Sequence, residues 1–161
     1  RKESSAASDV YKRQVLQRLN GSHPVQVLSP PGSRRNASGT AMGRALLSRL
    51  SEAEFQALYG TDAAQPLPME GRDCPATVGD LARLVAQTRA DHCGVAIDQA
   101  MPGIGAVAAA VRDPATGELR GLCLSFVSFQ ADAARVARLR ESVLQQVAAL
   151  GRALNDPYWS T

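Results

Sequence analysis

The sequence predicts an α+β domain in which helices pack on an antiparallel sheet. The apolar patterns of the chain indicate the element order β-β-α-α-α-β-β-β-α, which lacks the regular βαβ alternation of a parallel sheet. A turn cluster at residues 113–117 also separates two apolar runs, and this pattern is typical of a β-hairpin. At 161 residues, the chain has room for one such domain.

The first half of the chain is predicted to contain two strands and two helices. In chain order these are strands at residues 15–20 and 25–28, a loop at residues 29–35, and helices at residues 39–50 and 51–59. Ser38 is predicted to cap the first helix, whose apolar face consists of Ala41, Ala45, Leu46 and Leu50. Ser51 and Glu54 have the spacing of a capping box, which predicts the start of the second helix.

The second half is predicted to contain a helix, three strands and a long final helix. After a proline-containing linker at residues 61–75, Thr77 caps a helix with the apolar stripe Leu81, Leu84, Val85 and Thr88. A strand at residues 92–98 precedes the hairpin. The last helix is predicted at residues 131–154, where apolar residues recur at intervals of three and four: Val136, Leu139, Val143, Val147, Leu150 and Leu154.

The first fourteen residues are predicted to be foreign to the domain. Residues 4–14, SSAASDVYKRQ, resemble the in-frame translation of a transposase adapter used in preparing sequencing libraries. Both lysines of the chain, Lys2 and Lys12, lie in this segment. We therefore predict a non-native leader at residues 1–14, a domain at residues 15–154 and a C-terminal tail at residues 155–161. The alternative is that the leader is a genuine polar N-terminal strand.

The composition argues against several classes of protein. The formal net charge is +3, but from Val15 onward fourteen arginines are balanced by thirteen acidic residues. The Arg34–Arg35 pair is too small a basic patch for nucleic acid, and few aromatic residues are present to stack on bases. No apolar run is long enough to span a bilayer. The three cysteines lack the spacing of a zinc site or disulfide scaffold, so a cytoplasmic location is expected.

No group of residues has the pattern of a catalytic or metal site. His23 and His92 are the only histidines, and neither has an acid or cysteine at ligand spacing. Cys93 is adjacent to His92 on a predicted strand, so the two side chains are expected on opposite faces rather than in a dyad. Gly103 and Gly105 lack the third glycine of a dinucleotide-binding motif. We therefore predict neither enzymatic activity nor a cofactor or metal.

A run of small residues in the hairpin predicts either a cavity or a filled contact with a helix. One face of the first hairpin strand carries Ala106, Ala108 and Ala110. The facing strand carries Cys123 and Ser125, and Asp98 is nearby in the sequence. A void costs about 1 kcal/mol for each missing methyl group, so a void beside a thiol and a hydroxyl predicts a small polar ligand. The alternative is that a helix side chain fills the space.

Three segments of the chain form an ordered set of motifs. They are SGTAMGRALLSRLSEAEFQALYG at residues 38–60, ATVGDLARLVAQTRADHCGVAID at residues 76–98 and PGIGAVAAAVRDPATGELRGLCLS at residues 102–125. This set resembles the effector-binding domain of IclR-type bacterial transcriptional regulators, and the resemblance covers residues 15 to about 154. It implies a GAF-like fold that encloses a pocket for a small metabolite, often an organic or aromatic acid.

The resemblance also implies which residues line that pocket. They are Ala41, Met42, Asp98, Ile104, Ala106, Cys123 and Ser125. Three features depart from the family pattern. Residues 99–101 lack the acidic residues often found there, Ala110 replaces a usual proline, and Phe126 rather than Gly-Pro follows Ser125. We therefore expect an altered pocket mouth.

The predicted function is that of a metabolite-sensing domain in a transcriptional regulator. By the resemblance, the domain forms a homodimer or tetramer and binds a small organic-acid effector. Regulators of this type also carry an N-terminal winged helix-turn-helix, which we expect upstream of Val15, so DNA binding would belong to the parent protein. The alternative is a stand-alone GAF-like sensor or scaffold without DNA binding. No membrane association is expected.

Overall fold

The computed structural model of the chain describes residues 12–19 and 30–160, and it confirms the α+β fold class. The helices and strands, in chain order, are β1 (Lys12–Gln14), β2 (Arg34–Asn36), α1 (Ala41–Leu47), α2 (Glu52–Tyr59), α3 (Val78–Asp91), β3 (Gly94–Ile97), β4 (Ile104–Arg112), β5 (Leu119–Val127) and α4 (Ala133–Ala153). Short 3-10 turns follow β5 and α4, at Ser128–Gln130 and Pro157–Trp159. Within the described residues, no helix is long and apolar enough to cross a membrane.

The central sheet has three antiparallel strands in the order β3-β4-β5. β4 and β5 form the hairpin that the turn cluster at residues 113–117 predicts. Cys123 and Ser125 lie opposite the alanines of β4, as predicted, and the register pairs Ala106 with Ser125 and Ala108 with Cys123. β1 and β2 pair with each other in a separate two-stranded sheet.

The two faces of β4 have different partners because side chains alternate along a strand. On one face Val107 and Val111 pack against α4, where Val143 and Val147 are also buried. On the other face the alanines of β4, including the fully buried Ala108, pack against α1. A third apolar cluster joins α1, α2 and α3 and contains Leu47, Phe55, Tyr59, Val78, Leu81 and Val85. The central strand β4 is therefore covered on both faces.

The helices begin at capping residues. The Ser51 hydroxyl accepts a hydrogen bond from the Glu54 N–H, and the Glu54 carboxylate accepts one from the Ser51 N–H, which confirms the predicted capping box of α2. Thr77 caps α3 as predicted. The prediction that Ser38 caps the first helix is wrong. The chain still turns at Ser38, and Thr40 Oγ1 accepts from the backbone N–H three residues later at 3.0 Å.

Some predicted boundaries are wrong for identifiable reasons. Residues 15–19 form no strand, and the strand predicted at residues 25–28 lies outside the described residues. β2 begins inside the loop predicted at residues 29–35, because that segment pairs with β1. β3 begins later than predicted because His92 has a φ of 54°, a left-handed conformation that ends α3 and does not fit a strand. On α4, Leu150 of the predicted apolar stripe is exposed.

The segment predicted to be a C-terminal tail packs on the body of the domain. Asp156 is buried, and its two carboxylate oxygens lie 2.6 and 2.8 Å from Nη2 of Arg49. Trp159 is also buried, and its Nε1 donates to the carbonyl oxygen of Ala110 on β4 at 3.1 Å. Gly151 of α4 makes room for the indole, since a Cβ there would collide with it. The packed body therefore continues beyond residue 154.

β1 lies within the segment predicted to be a non-native leader. Its Arg13 is opposite Arg35 in the antiparallel pairing with β2. Residues 1–11, which make up most of the predicted leader, lie outside the described residues. The foreign origin of the leader and the domain start at residue 15 therefore stay predictions.

Candidate functional site

A cavity of about 50 Å³ lies between α1, the sheet and the loop that connects β3 to β4. Of the seven pocket residues implied by the family resemblance, six line it: Ala41, Met42, Ile104, Ala106, Cys123 and Ser125. They meet because α1 packs on the small-residue face of the sheet, and because β4 and β5 place Ala106 opposite Ser125. Residues far apart in the sequence therefore surround one partly open space.

Asp98, the seventh of these residues, is not among those that line the cavity. It follows β3 with a φ of 57°, and its Oδ1 accepts hydrogen bonds from the Gly103 N–H at 2.7 Å and from the Ser128 hydroxyl at 2.8 Å. These bonds close the β3–β4 loop and tie it to the end of β5. Asp98 therefore shapes the loop beside the cavity instead of offering its carboxylate to the space.

The three alanines of β4 have two different roles. Ala106 lines the cavity. Ala108 and Ala110 are 0% and 2% exposed and lie beneath α1 in a cluster with Ala41. The prediction that these alanines make room for a ligand is therefore wrong for Ala108 and Ala110, because the helix itself fills the space. The close approach is evident at Gly94 on β3, where a Cβ would collide with the carbonyl oxygen of Ala41.

Five further residues, which the family resemblance does not imply, also line the cavity: Arg35, Thr40, Ala96, Ala100 and Met101. Ala96 has a sequence signal, since period-2 alternation places it on one face of β3, and it is opposite Ala106 in the register. Arg35 has no such signal, because its position depends on how the short β2 strand is placed next to α1. Ala100 and Met101 lie in the β3–β4 loop, so their positions depend on the tertiary contacts of that loop.

The polar groups of the cavity are a guanidinium, two hydroxyls and a thiol. The Thr40 hydroxyl is occupied in capping α1. Ser125 Oγ has one hydrogen-bond partner among the described residues, the Sγ atom of Cys123 at 4.0 Å. The guanidinium of half-buried Arg35 makes no hydrogen bond or ion pair with any residue that the structure describes. No acidic residue of the described ranges lines the space, so its charge is positive.

The loop beside the cavity is held by Arg44, a buried residue of α1. Nη2 of Arg44 donates to the Val95 carbonyl oxygen and to Oε1 of Gln99, each at 2.7 Å. Burial lowers the pKa of Arg44 to about 10, so the side chain is charged at neutral pH. The Cys74 thiol donates to the Gln99 carbonyl oxygen at 2.8 Å. These bonds fix the position of Gln99. Gln99 directly precedes Ala100 and Met101, the loop residues that line the cavity.

The described residues around the cavity do not form a pair of nucleophile and base. Cys93 belongs to the cluster on the α4 side of the sheet, and burial raises the pKa of its thiol, which makes it a poor nucleophile. His92 lies outside the cavity lining, and its ring centroid is 4.4 Å from that of Tyr158. Within the described residues, the lining of the cavity is mainly apolar and carries a few polar groups.

Comparisons with known proteins agree with the family resemblance seen in the sequence. The family described as "Bacterial transcriptional regulator IclR C-terminal" matches residues 7–152. The HTH-type transcriptional regulator XynR of Escherichia coli strain K12 is 28% identical over 145 residues, which are 88% of this chain and 55% of XynR. The repressor BlcR of Agrobacterium tumefaciens aligns at a TM-score of 0.68 and 27% identity, over 78% of this chain and 50% of BlcR.

A more distant solved structure has the same fold. The IclR protein of Thermotoga maritima aligns at a TM-score of 0.80 and 16% identity, over 91% of this chain and 58% of that protein. This chain spans about half the length of XynR and of BlcR. Those relatives are transcriptional regulators and not enzymes. The chain therefore belongs to the IclR family of bacterial transcriptional regulators, as an effector-binding C-terminal domain.

Proposed function

We propose that the cavity between α1, the sheet and the β3–β4 loop is the effector site of this domain, and that the effector is a small organic acid. The observation that best supports this is that six residues implied by the family resemblance line one partly open space. Its walls are mainly apolar and carry a few polar groups, which is the usual composition of a small-molecule site.

The size of the cavity favours a short aliphatic acid over an aromatic one. Its volume is about 50 Å³. An engineered protein cavity that admits benzene has about 150 Å³, roughly three times as much. An aromatic acid would therefore require the side chains of Met42 and Met101, which line the space, to move. Methionine side chains are flexible enough to do so, but the shape described here suits a short chain.

Effector binding acts on the rest of the regulator through a shift between two arrangements of the domain. A ligand in the cavity contacts α1, the hairpin and the β3–β4 loop together, so it stabilises the arrangement in which these elements are closest. We propose that this shift biases a DNA-binding part of the parent protein outside this chain, within a dimer or tetramer. Family membership favours this reading over a stand-alone sensor. The cytoplasmic location stays a prediction.

A ligand screen with a blocked variant tests the effector site. Small carboxylic acids are added to the whole chain and to Ala106→Phe, and the unfolding temperature and the heat of binding are measured. An acid at one hundred times its Kd should stabilise the wild-type chain by about 2.7 kcal/mol. It should not bind Ala106→Phe, because the ring fills the cavity. Ala134→Phe adds the same ring at an exposed position of α4 and should bind normally.

A smaller change in the same cavity keeps the test informative if Ala106→Phe does not fold. Ser125→Ala removes a hydroxyl that faces the space and should weaken binding of the acid by about 1 kcal/mol. The site is placed wrongly if the acid binds both Ala106→Phe and Ser125→Ala as tightly as it binds the wild-type chain. Unfolding of Ala106→Phe together with unchanged binding to Ser125→Ala would also count against the cavity.

A further inference from the structure

Arg35 is the one charged residue, among those described, that lines the cavity. It is the middle residue of β2, where side chains alternate, so its two neighbours point to the other side of the strand. Arg34 is exposed, and Asn36 donates from Nδ2 to Oε1 of Glu70 at 2.7 Å. Glu70 therefore pairs with Asn36, and Arg35 alone of the β2 side chains borders the cavity.

The guanidinium of Arg35 has no counter-charge within the described part of the chain. The residue is half-buried, and its side chain makes no hydrogen bond or ion pair there. A partly desolvated and unpaired charge is unfavourable, and binding of an anion relieves that cost. A guanidinium also presents its N–H groups in a planar fork that matches both oxygens of a carboxylate. The group is therefore suited to a carboxylate ligand.

We propose that Arg35 pairs with the carboxylate of the effector and makes the cavity selective for short anionic acids over neutral molecules of the same shape. This inference rests on the proposed effector site. The carboxylate lies next to Arg35, and the carbon chain contacts apolar residues of the lining, which include Ala41, Ile104 and Ala106. No acidic residue in the described lining competes with the ligand for Arg35. Ser125 is available to a hydroxyl on the ligand.

Matched acids and amides test this pairing. The probes are acetate, propionate, lactate and butyrate with their corresponding amides, and binding to the whole chain is measured by titration calorimetry. The wild-type chain should bind at least one acid, and it should bind the matching amide at least about tenfold more weakly. Arg35→Gln should lose roughly tenfold to a hundredfold in affinity for that acid, with little change for the amide.

Two further variants act as controls for charge and geometry. Arg35→Lys keeps the charge but loses the planar fork, so it should retain an intermediate affinity for the acid. Arg34→Gln removes an equal charge from the exposed neighbour on β2 and should bind like the wild-type chain. Thermal unfolding of each variant shows whether it is folded.

The ratio of acid affinity to amide affinity separates charge pairing from a structural role of Arg35. A structural defect in Arg35→Gln would weaken both ligands equally, so an unchanged ratio overturns the inference. If Ala106→Phe still blocks binding in the same assay, the cavity stands as the effector site without a role for Arg35. If neither acids nor amides bind the wild-type chain, both proposals are wrong.

Discussion

The two faces of β4 differ in the size of their side chains, and a cavity lies beside only the face with the smaller ones among the described residues of this strand. The face toward α4 carries Val107 and Val111, which interlock with large side chains that include Phe126 and Trp159. The face toward α1 carries alanines, so there the helix lies close to the strand. On the first face Val107 and Val111 are fully buried. The second contact is filled only where the helix covers the strand, and space remains at Ala106.

In the contact between α1 and β4, the cavity lies at the edge of the small-residue face. Ala108 and Ala110 bring α1 close to the sheet, and the cavity opens beyond them. There Met42 and Met101, which have adaptable side chains, line the space. On the opposite face, Trp159 bonds to the backbone of β4 and holds the strand in place. We therefore expect ligand-dependent changes on the α1 side of the sheet.

Removal of the Trp159 side chain should cause the largest effect, because the indole is buried in the cluster on the α4 face. Trp159→Ala loses the packing of a buried indole and its hydrogen bond to β4, so we expect a loss of about 3–5 kcal/mol in the free energy of unfolding. Phe129→Ala removes an exposed aromatic ring and should change stability by less than about 0.5 kcal/mol. Urea unfolding measures both. Equal losses in the two variants would mean that Trp159 does not stabilise the α4 face.

Two identical substitutions on the α1 face should separate its filled part from its open part. Ala108→Val adds two methyl groups beneath α1 and should cost about 1–3 kcal/mol of stability. Ala106→Val adds the same groups at the cavity, so it should cost less than about 1 kcal/mol and should weaken effector binding. Thermal unfolding and calorimetry on the pair give both quantities. A larger loss of stability in Ala106→Val would contradict the assignment of the open end.

The smallest expected effect is a pH dependence of the free energy of unfolding. It arises from His92, which lies at the edge of the α4 face. Burial and the nearby cation Arg49 lower the pKa of His92, Arg140 lowers it further, and Asp91 opposes them. The unfolded chain therefore binds the proton more tightly than the folded chain. Stability contributed by neutral His92 is complete above the unfolded pKa of about 6.5 and falls as the pH drops toward the lower folded pKa.

The variant His92→Asn tests this dependence, because Asn tolerates the left-handed backbone at this position. It should be less stable at neutral pH, since it loses the ring contact with Tyr158. Its free energy of unfolding should depend less on pH between about 7.5 and 5.5 than that of the wild-type chain. Identical slopes for the two proteins over this range would show that His92 is not the titrating group.

Local patterns could predict much of the fold because they depend on neighbouring residues. The capping box at Ser51 and the cap at Thr77 follow from hydrogen bonds within a single turn, and both are confirmed. The start of the first helix could not be predicted as well. Ser38 and Thr40 are both good caps, and only the path of the chain before α1 selects Thr40. The left-handed conformation of His92 likewise has no signal in its neighbours.

Periodicity and turn chemistry were enough to predict the fold class and the hairpin. The family, and six of the residues around the cavity, were predicted from the resemblance that an ordered set of motifs carries. Only the tertiary structure decided that Arg35 borders the cavity, that Asp98 does not, and that Trp159 anchors the C-terminal segment. Each of these positions depends on contacts between segments that are distant in the chain, so no local pattern of residues specifies them.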